Sequence, residues 1–195
     1  MFKPFAWNAW LLSLPFLIIG AIFMALKKDI TKRMSDMTGY TAKEKSVTIA
    51  ASIAPYPFMV ATLWIPFTPM LSLLCLGLTL YAAGMTLFAM SLKVIIRTPP
   101  NELFSSGPYR FSRNPLYVAA TIVFMGICLA TANIVLAGYL AIAVILQHFM
   151  ILAEERICME KYGREFDGYT KRTPRYLCVQ DKTQPKAAGD GGPSL

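Results

Sequence analysis

Residues 101–117 read Asn-Glu-Leu-Phe-Ser-Ser-Gly-Pro-Tyr-Arg-Phe-Ser-Arg-Asn-Pro-Leu-Tyr. An apolar run from Met70 to Leu92 precedes this stretch, and another from Leu116 to Ala132 follows its start. It is the only long polar interval between two strongly apolar segments that is dense in Gly, Pro, Tyr and Arg. Gly107, Pro108 and Pro115 rule out one uninterrupted helix, so the interval reads as a connector at the surface of an apolar bundle.

Working outward, the composition says what that bundle is. Of 195 residues, 55% are hydrophobic and 15% charged, far from the ordinary soluble balance. The apolar residues come in blocks rather than at amphipathic spacing, which points to a single-domain membrane protein. The net charge of +8 does not imply nucleic acid, because Lys and Arg sit beside apolar spans. There they act as topology signals and contacts to anionic headgroups of membrane lipids. The four cysteines show no metal or redox spacing, and no Cys-x-x-Cys or prenylation box occurs. The first apolar run lacks a small-residue cleavage site and reads as a retained helix.

The expected fold is all-α and integral to the membrane, with five transmembrane helices, a cytoplasmic connector and a C-terminal helical tail. The spans fall at about 7–26, 47–65, 70–92, 116–132 and 134–152. Pro55 and Pro57 should kink the second. Gly77 and Gly84, seven apart on one face of the third, permit close packing. Residues 1–92 form three N-terminal spans, and 93–180 hold the connector, the last two spans and tail helices broken at Gly163. Residues 181–195 are expected to be disordered. The loop 27–46, the loop 93–115 and the tail carry nearly all the Lys and Arg. The N-terminus is therefore expected outside, and the connector and C-terminus in the cytoplasm, most simply at the cell membrane.

Ionisable residues are costly inside a bilayer, so their positions are informative. Gln147 and His148 occupy the last turns of the fifth span, and Glu154 and Glu155 follow two turns later on the same faces. Each has an ordinary reading: an interfacial His, a solvated acidic turn, belt tyrosines at 109 and 117, inside charges at Arg110 and Arg113. Their convergence on one side points to a site. No dinucleotide or phosphate loop, Gly-x-Ser-x-Gly or His-Glu-x-x-His is present, so neither a soluble nucleotide fold nor a metal is indicated.

Ser106-Gly107-Pro108-Tyr109-Arg110, followed by Arg113-Asn114-Pro115 and Tyr117, resembles the Gly-Pro-Tyr…Arg-His-Pro-x-Tyr signature of the isoprenylcysteine carboxyl methyltransferase family. The related phospholipid methyltransferases share it loosely. Glu154-Glu155, Tyr162-Gly163-Arg164-Glu165-Phe166, Tyr169 and Lys171-Arg172-Thr173-Pro174-Arg175 extend the similarity over about 93–178. The helix number suits the smaller, prokaryotic-type members. Family members usually carry His where this chain has Asn101 and Asn114. Asn keeps a donor and an acceptor but cannot become cationic.

The resemblance implies S-adenosylmethionine as methyl donor, with S-adenosylhomocysteine as product. It implies cofactor contacts at Asn101, Glu102, Leu103, Phe104, Tyr109, Arg113, Asn114, Pro115, Tyr117 and Glu155. In chemical terms a carboxylate such as Glu155 suits the donor's ammonium, Arg110 or Arg113 its carboxylate, and Leu103, Phe104 and Tyr109 its adenine. His148, Arg172 and Arg175 are, by position, candidates to hold a substrate carboxylate. The acceptor implied is the carboxylate of an isoprenylated cysteine, or a similar lipid-like group entering from the bilayer. An ionised carboxylate needs no strong base, so in-line placement and exclusion of water are the main demands. A phospholipid amine is the nearest rival and needs a proton acceptor, for which His148 or Glu154 is placed. A membrane reductase of the steroid-reductase type and a non-enzymatic scaffold are the readings from other classes.

Overall fold

The computed structural model describes residues 8–99 and 102–177. Those residues form α1 (Trp10–Leu26), α2 (Lys28–Met34), α3 (Ala42–Ile53), α4 (Pro55–Ala61), α5 (Leu71–Arg97), a 3-10 turn (Gly107–Arg110), α6 (Pro115–Thr131), α7 (Ile134–Tyr162) and α8 (Arg164–Arg172). No strand occurs among them, so the all-α expectation holds there. The end expected to be disordered lies outside the described residues.

Two helices, α5 and α7, are long and apolar enough to cross a bilayer, and 17% of each apolar window is buried. The core helix of a soluble protein would be covered by its neighbours. These faces are apolar and uncovered, as helices solvated by lipid are. Helices α1 and α6 are apolar but shorter, at 17 residues each. Of the five expected spanning helices, two meet both length and composition among the described residues.

The second expected span, 47–65, is not one helix. Thr41 caps α3 early: its hydroxyl accepts from the Glu44 N–H at 3.3 Å, and the Glu44 carboxylate accepts from the Thr41 N–H at 2.8 Å. The helix therefore begins at Ala42 and stops at Ile53, where Pro55 and Pro57 withdraw two backbone donors. At the break the Tyr139 hydroxyl of α7 donates to the Ala54 carbonyl at 2.9 Å. The end of α4 is tied to the start of α1, with Ser13 and Thr62 hydroxyls 3.0 Å apart and the Asn8 amide donating to the Leu63 carbonyl at 2.8 Å.

The bundle is organised by the contact of α5 with α6, where backbones approach across glycine. A Cβ on Gly77 would lie 2.5 Å from the Ala130 nitrogen, one on Gly84 2.8 Å from the Val123 nitrogen, and one on Gly126 2.7 Å from the Gly77 oxygen. Small residues on facing helices allow this approach, and dispersion contacts rather than water release hold it together in lipid. Phe16 joins the two apolar clusters of the bundle, with its ring centroid 4.7 Å from Phe88 and 5.2 Å from Phe124.

A two-residue link turns α6 into α7. Ala132 adopts the left-handed conformation at φ 49°, and the Asn133 side chain accepts from the Val135 and Leu136 N–H groups. Gly163, at φ 51°, ends α7 and lets α8 fold back beneath the connector.

Candidate functional site

Arg113 and Glu155 form the centre from which the site is built. Pro115 starts α6, its missing N–H costing nothing at the first helical position, and is fully buried beneath the connector. This fixes Arg113 and Asn114 at the helix entrance. The Arg113 guanidinium meets Glu155 of α7 in a fork, Nε to Oε1 at 3.1 Å and Nη2 to Oε2 at 3.0 Å. Its Nη1 donates to the Thr170 and Thr173 carbonyls at 3.2 and 2.8 Å. The Asn114 amide and the Arg175 guanidinium also donate to Glu155, each at 3.0 Å. Both partners are nearly dry, with 4% of the Arg113 and 12% of the Glu155 side chain exposed.

The sequence expectation gives Glu155 to a ligand ammonium and Arg110 or Arg113 to a ligand carboxylate. In this structure Glu155 and Arg113 take each other, and four donors saturate the Glu155 carboxylate. The cluster locks the connector, α7 and the segment after α8 together. The Tyr169 hydroxyl of α8 adds a bond to the Tyr109 carbonyl at 2.6 Å, and the Arg113 N–H donates to the Pro174 carbonyl at 2.9 Å.

Above this cluster lies a cavity of about 280 Å³. The connector supplies Glu102, Leu103, Phe104 and Tyr109, and the start of α6 supplies Arg113, Asn114, Leu116 and Tyr117. The C-terminal end of α7 contributes Glu154, Glu155, Ile157, Cys158, Lys161 and Tyr162, and α8 contributes Phe166 and Tyr169. Phe104 and Tyr109 stack at a 5.6 Å centroid distance. Glu154 accepts from the Tyr117 hydroxyl at 2.6 Å, and Gln147 donates to the Tyr117 carbonyl at 3.3 Å. Burial pushes the Tyr109 and Tyr169 phenols upward, so both stay neutral donors.

The structure thus brings Glu102, Leu103, Phe104, Tyr109, Arg113, Asn114, Tyr117 and Glu155 around one space, while Pro115 supports it from below. Asn101 lies outside the described residues. His148, Arg172 and Arg175 do not line the cavity. His148 Nδ1 shares a hydrogen bond with the Tyr176 hydroxyl at 2.8 Å, Arg172 donates to the Gly168 carbonyl at 3.1 Å, and Arg175 is held by Glu155. One wall was missed altogether: Asp36, Thr38 and Tyr40, from the loop between α2 and α3. The lysines around that loop carry a topology signal in the sequence, and Gly39-Tyr40 before the Thr41-x-x-Glu44 cap marks a built turn. Among the described residues no group of three or more His, Cys, Asp or Glu is placed to hold a metal ion.

The model of the phospholipid methyltransferase family matches residues 70–165, just under half of the chain. That match supports the wider superfamily that joins isoprenylcysteine and phospholipid methyltransferases, without singling out its isoprenylcysteine branch. The nickel-cobalt-cadmium resistance protein NccN of Alcaligenes xylosoxydans xylosoxydans is 36% identical over 76 residues, 39% of this chain and 36% of that protein. The cobalt-zinc-cadmium resistance protein CzcN of Cupriavidus metallidurans is 31% identical over 77 residues, 40% of this chain and 36% of that protein. The aligned region therefore spans little more than a third of each of these relatives. No solved structure matches the chain.

Proposed function

We propose, from the premise of a membrane methyltransferase of the isoprenylcysteine and phospholipid kind, that the cavity holds S-adenosylmethionine beside a lipid-like acceptor. The observation that carries this reading is the single cavity shared by the two motif halves, connector and tail, which lie about 50 residues apart in sequence. The donor, when bound, supplies a methyl group on a cationic sulfonium. The residues present suit it: Phe104, Tyr109 and Leu103 offer an aromatic and apolar bed for adenine, Glu154 and Asp36 offer negative charge, and Lys161 offers a cation for a carboxylate. Arg113 and Glu155 hold the walls in register rather than touching the ligand, and the Lys and Arg beside the apolar spans support a cavity at the cytoplasmic membrane surface.

Two acceptors fit this frame. The motif resemblance favours the carboxylate of an isoprenylated cysteine. The charge of the walls favours an amine, such as that of a phospholipid headgroup. Asp36, Glu102 and Glu154 line the cavity beside Glu155, which Arg113 and Arg175 already take up, whereas its cations are Arg113, likewise paired, and Lys161. An anionic acceptor would meet like charge there, and Arg172 and Arg175 would have to leave their present partners to receive it. An amine must shed a proton as it is methylated. Glu154, oriented by the Tyr117 hydroxyl, is the group on the cavity wall placed to take it. Methyl transfer from labelled S-adenosylmethionine to phosphatidylethanolamine and to a prenylcysteine analogue, compared side by side, decides between them. Transfer to neither would overturn both.

A further inference from the structure

The wall from Asp36 to Tyr40 belongs to a part of the chain that the family match does not reach. It comes from the turn between α2 and α3, and it faces the connector across the cavity. Its hold on α7 is specific. Arg156, one turn beyond Leu152 on that helix, sends Nε and Nη2 to the two Glu44 oxygens at 2.9 and 2.7 Å. The same Nη2 donates to the Gly39 carbonyl at 3.0 Å, and Nη1 bonds Glu160. Gly39 sits at φ 82°, where a side chain is strained, and a Cβ there would press on Ile157 of the cavity wall at 3.1 Å. Asp36 closes the other end of the turn, accepting from the Thr38 N–H at 2.9 Å and the Thr38 hydroxyl at 2.6 Å.

We infer that this loop is a ligand-contacting wall of the methyl-donor cavity, with Tyr40 as its contact residue and Arg156 as the positioning residue that sets Tyr40 in place. The inference rests on the cavity's being the donor site. Arg156 does not line the cavity, so its effect passes through the loop. A planar guanidinium is needed because one group must grip a carboxylate with two nitrogens and a carbonyl besides, which a lysine ammonium does not do in fixed geometry.

The test uses the full chain in detergent or nanodiscs and S-adenosylhomocysteine as the titrant. Tyr40→Ala is expected to weaken binding about tenfold, the scale of one lost aromatic contact, and Tyr40→Phe to stay within about twofold. Arg156→Gln should weaken binding severalfold, and Arg156→Lys should not rescue it. The decisive readout is the double variant: Tyr40→Ala with Arg156→Gln should bind as Tyr40→Ala alone, because Arg156 acts through Tyr40. Simple multiplication of the two effects would overturn the positioning role. Unaltered binding in both single variants would overturn the loop inference alone. Absence of binding by the unsubstituted protein would overturn the methyl-donor reading and this inference with it.

Discussion

Replacing Glu155 by Gln separates a structural carboxylate from a ligand-binding one. Four donors converge on Glu155: Arg113 Nε and Nη2, the Asn114 amide and Arg175 Nε, all at 3.0–3.1 Å. An amide has one acceptor oxygen and would turn an NH₂ toward two of those donors. Arg113 would keep the Thr170 and Thr173 carbonyls but lose its counter-charge while almost fully buried. Breaking one side of a buried ion pair costs about 3–5 kcal/mol, and the two retained carbonyls place this case near the lower end, about 3 kcal/mol. For a chain of this size that corresponds to a fall in apparent Tm of roughly 6–12 °C. The assay is thermal unfolding of the ligand-free protein in detergent, with Glu165→Gln on the exposed face of α8 as the control expected to stay within about 0.5 kcal/mol. An unchanged Tm combined with lost S-adenosylhomocysteine binding would refute the reasoning and return Glu155 to the ligand.

Other outcomes follow from the same geometry. Gly77→Ala places a methyl 2.5 Å from the Ala130 backbone and should destabilise by about 1–3 kcal/mol, whereas Gly138→Ala, with nothing within 4 Å, should be neutral or stabilising by up to about 1 kcal/mol; chemical unfolding in detergent compares the two. Ala132→Gly, at φ 49°, should raise stability by about 0.5–1 kcal/mol in the same assay, because glycine relieves the left-handed strain. Hydrogen bonds from Arg156 and Thr41 hold the Glu44 carboxyl down, at about 2, well below the ordinary carboxylate range. A depressed carboxyl stabilises the fold fully above its unfolded value and ceases to as pH falls through the folded one. The Tm difference between the unsubstituted protein and Glu44→Gln should therefore be constant above about pH 5 and vanish towards pH 2.

How much of this was legible in the sequence depends on whether partners or residue types carry the information. The connector was legible because Gly107, Pro108 and Pro115 punctuate the chain whatever surrounds them. The breaks at Gly163 and at Pro55-Pro57 were legible for the same reason, and α7, the gap at Gly163 and α8 fall where the pattern put them. The start of α3 was encoded too, in Thr41-x-x-Glu44, but hydropathy placed it at Val47 and hid the cap. The role of Glu155 was not legible, because a sequence records a carboxylate without recording that four donors already occupy it. The Asp36–Tyr40 wall escaped because its link to the site is the long-range pairing of Glu44 with Arg156, 112 residues apart. His148 was singled out for its rarity in an apolar span, and the structure gives it Tyr176 rather than the cavity.

The central claim is that the cavity between connector and tail performs methyl transfer at a membrane. The most direct test is incorporation of labelled methyl from S-adenosylmethionine into the lipid fraction of proteoliposomes, for the unsubstituted protein and for Glu154→Ala. The account predicts label in a lipid product that depends on the protein and falls at least about tenfold in the variant, as loss of a positioned proton acceptor does. Absence of lipid labelling, together with no binding of S-adenosylhomocysteine, would contradict it.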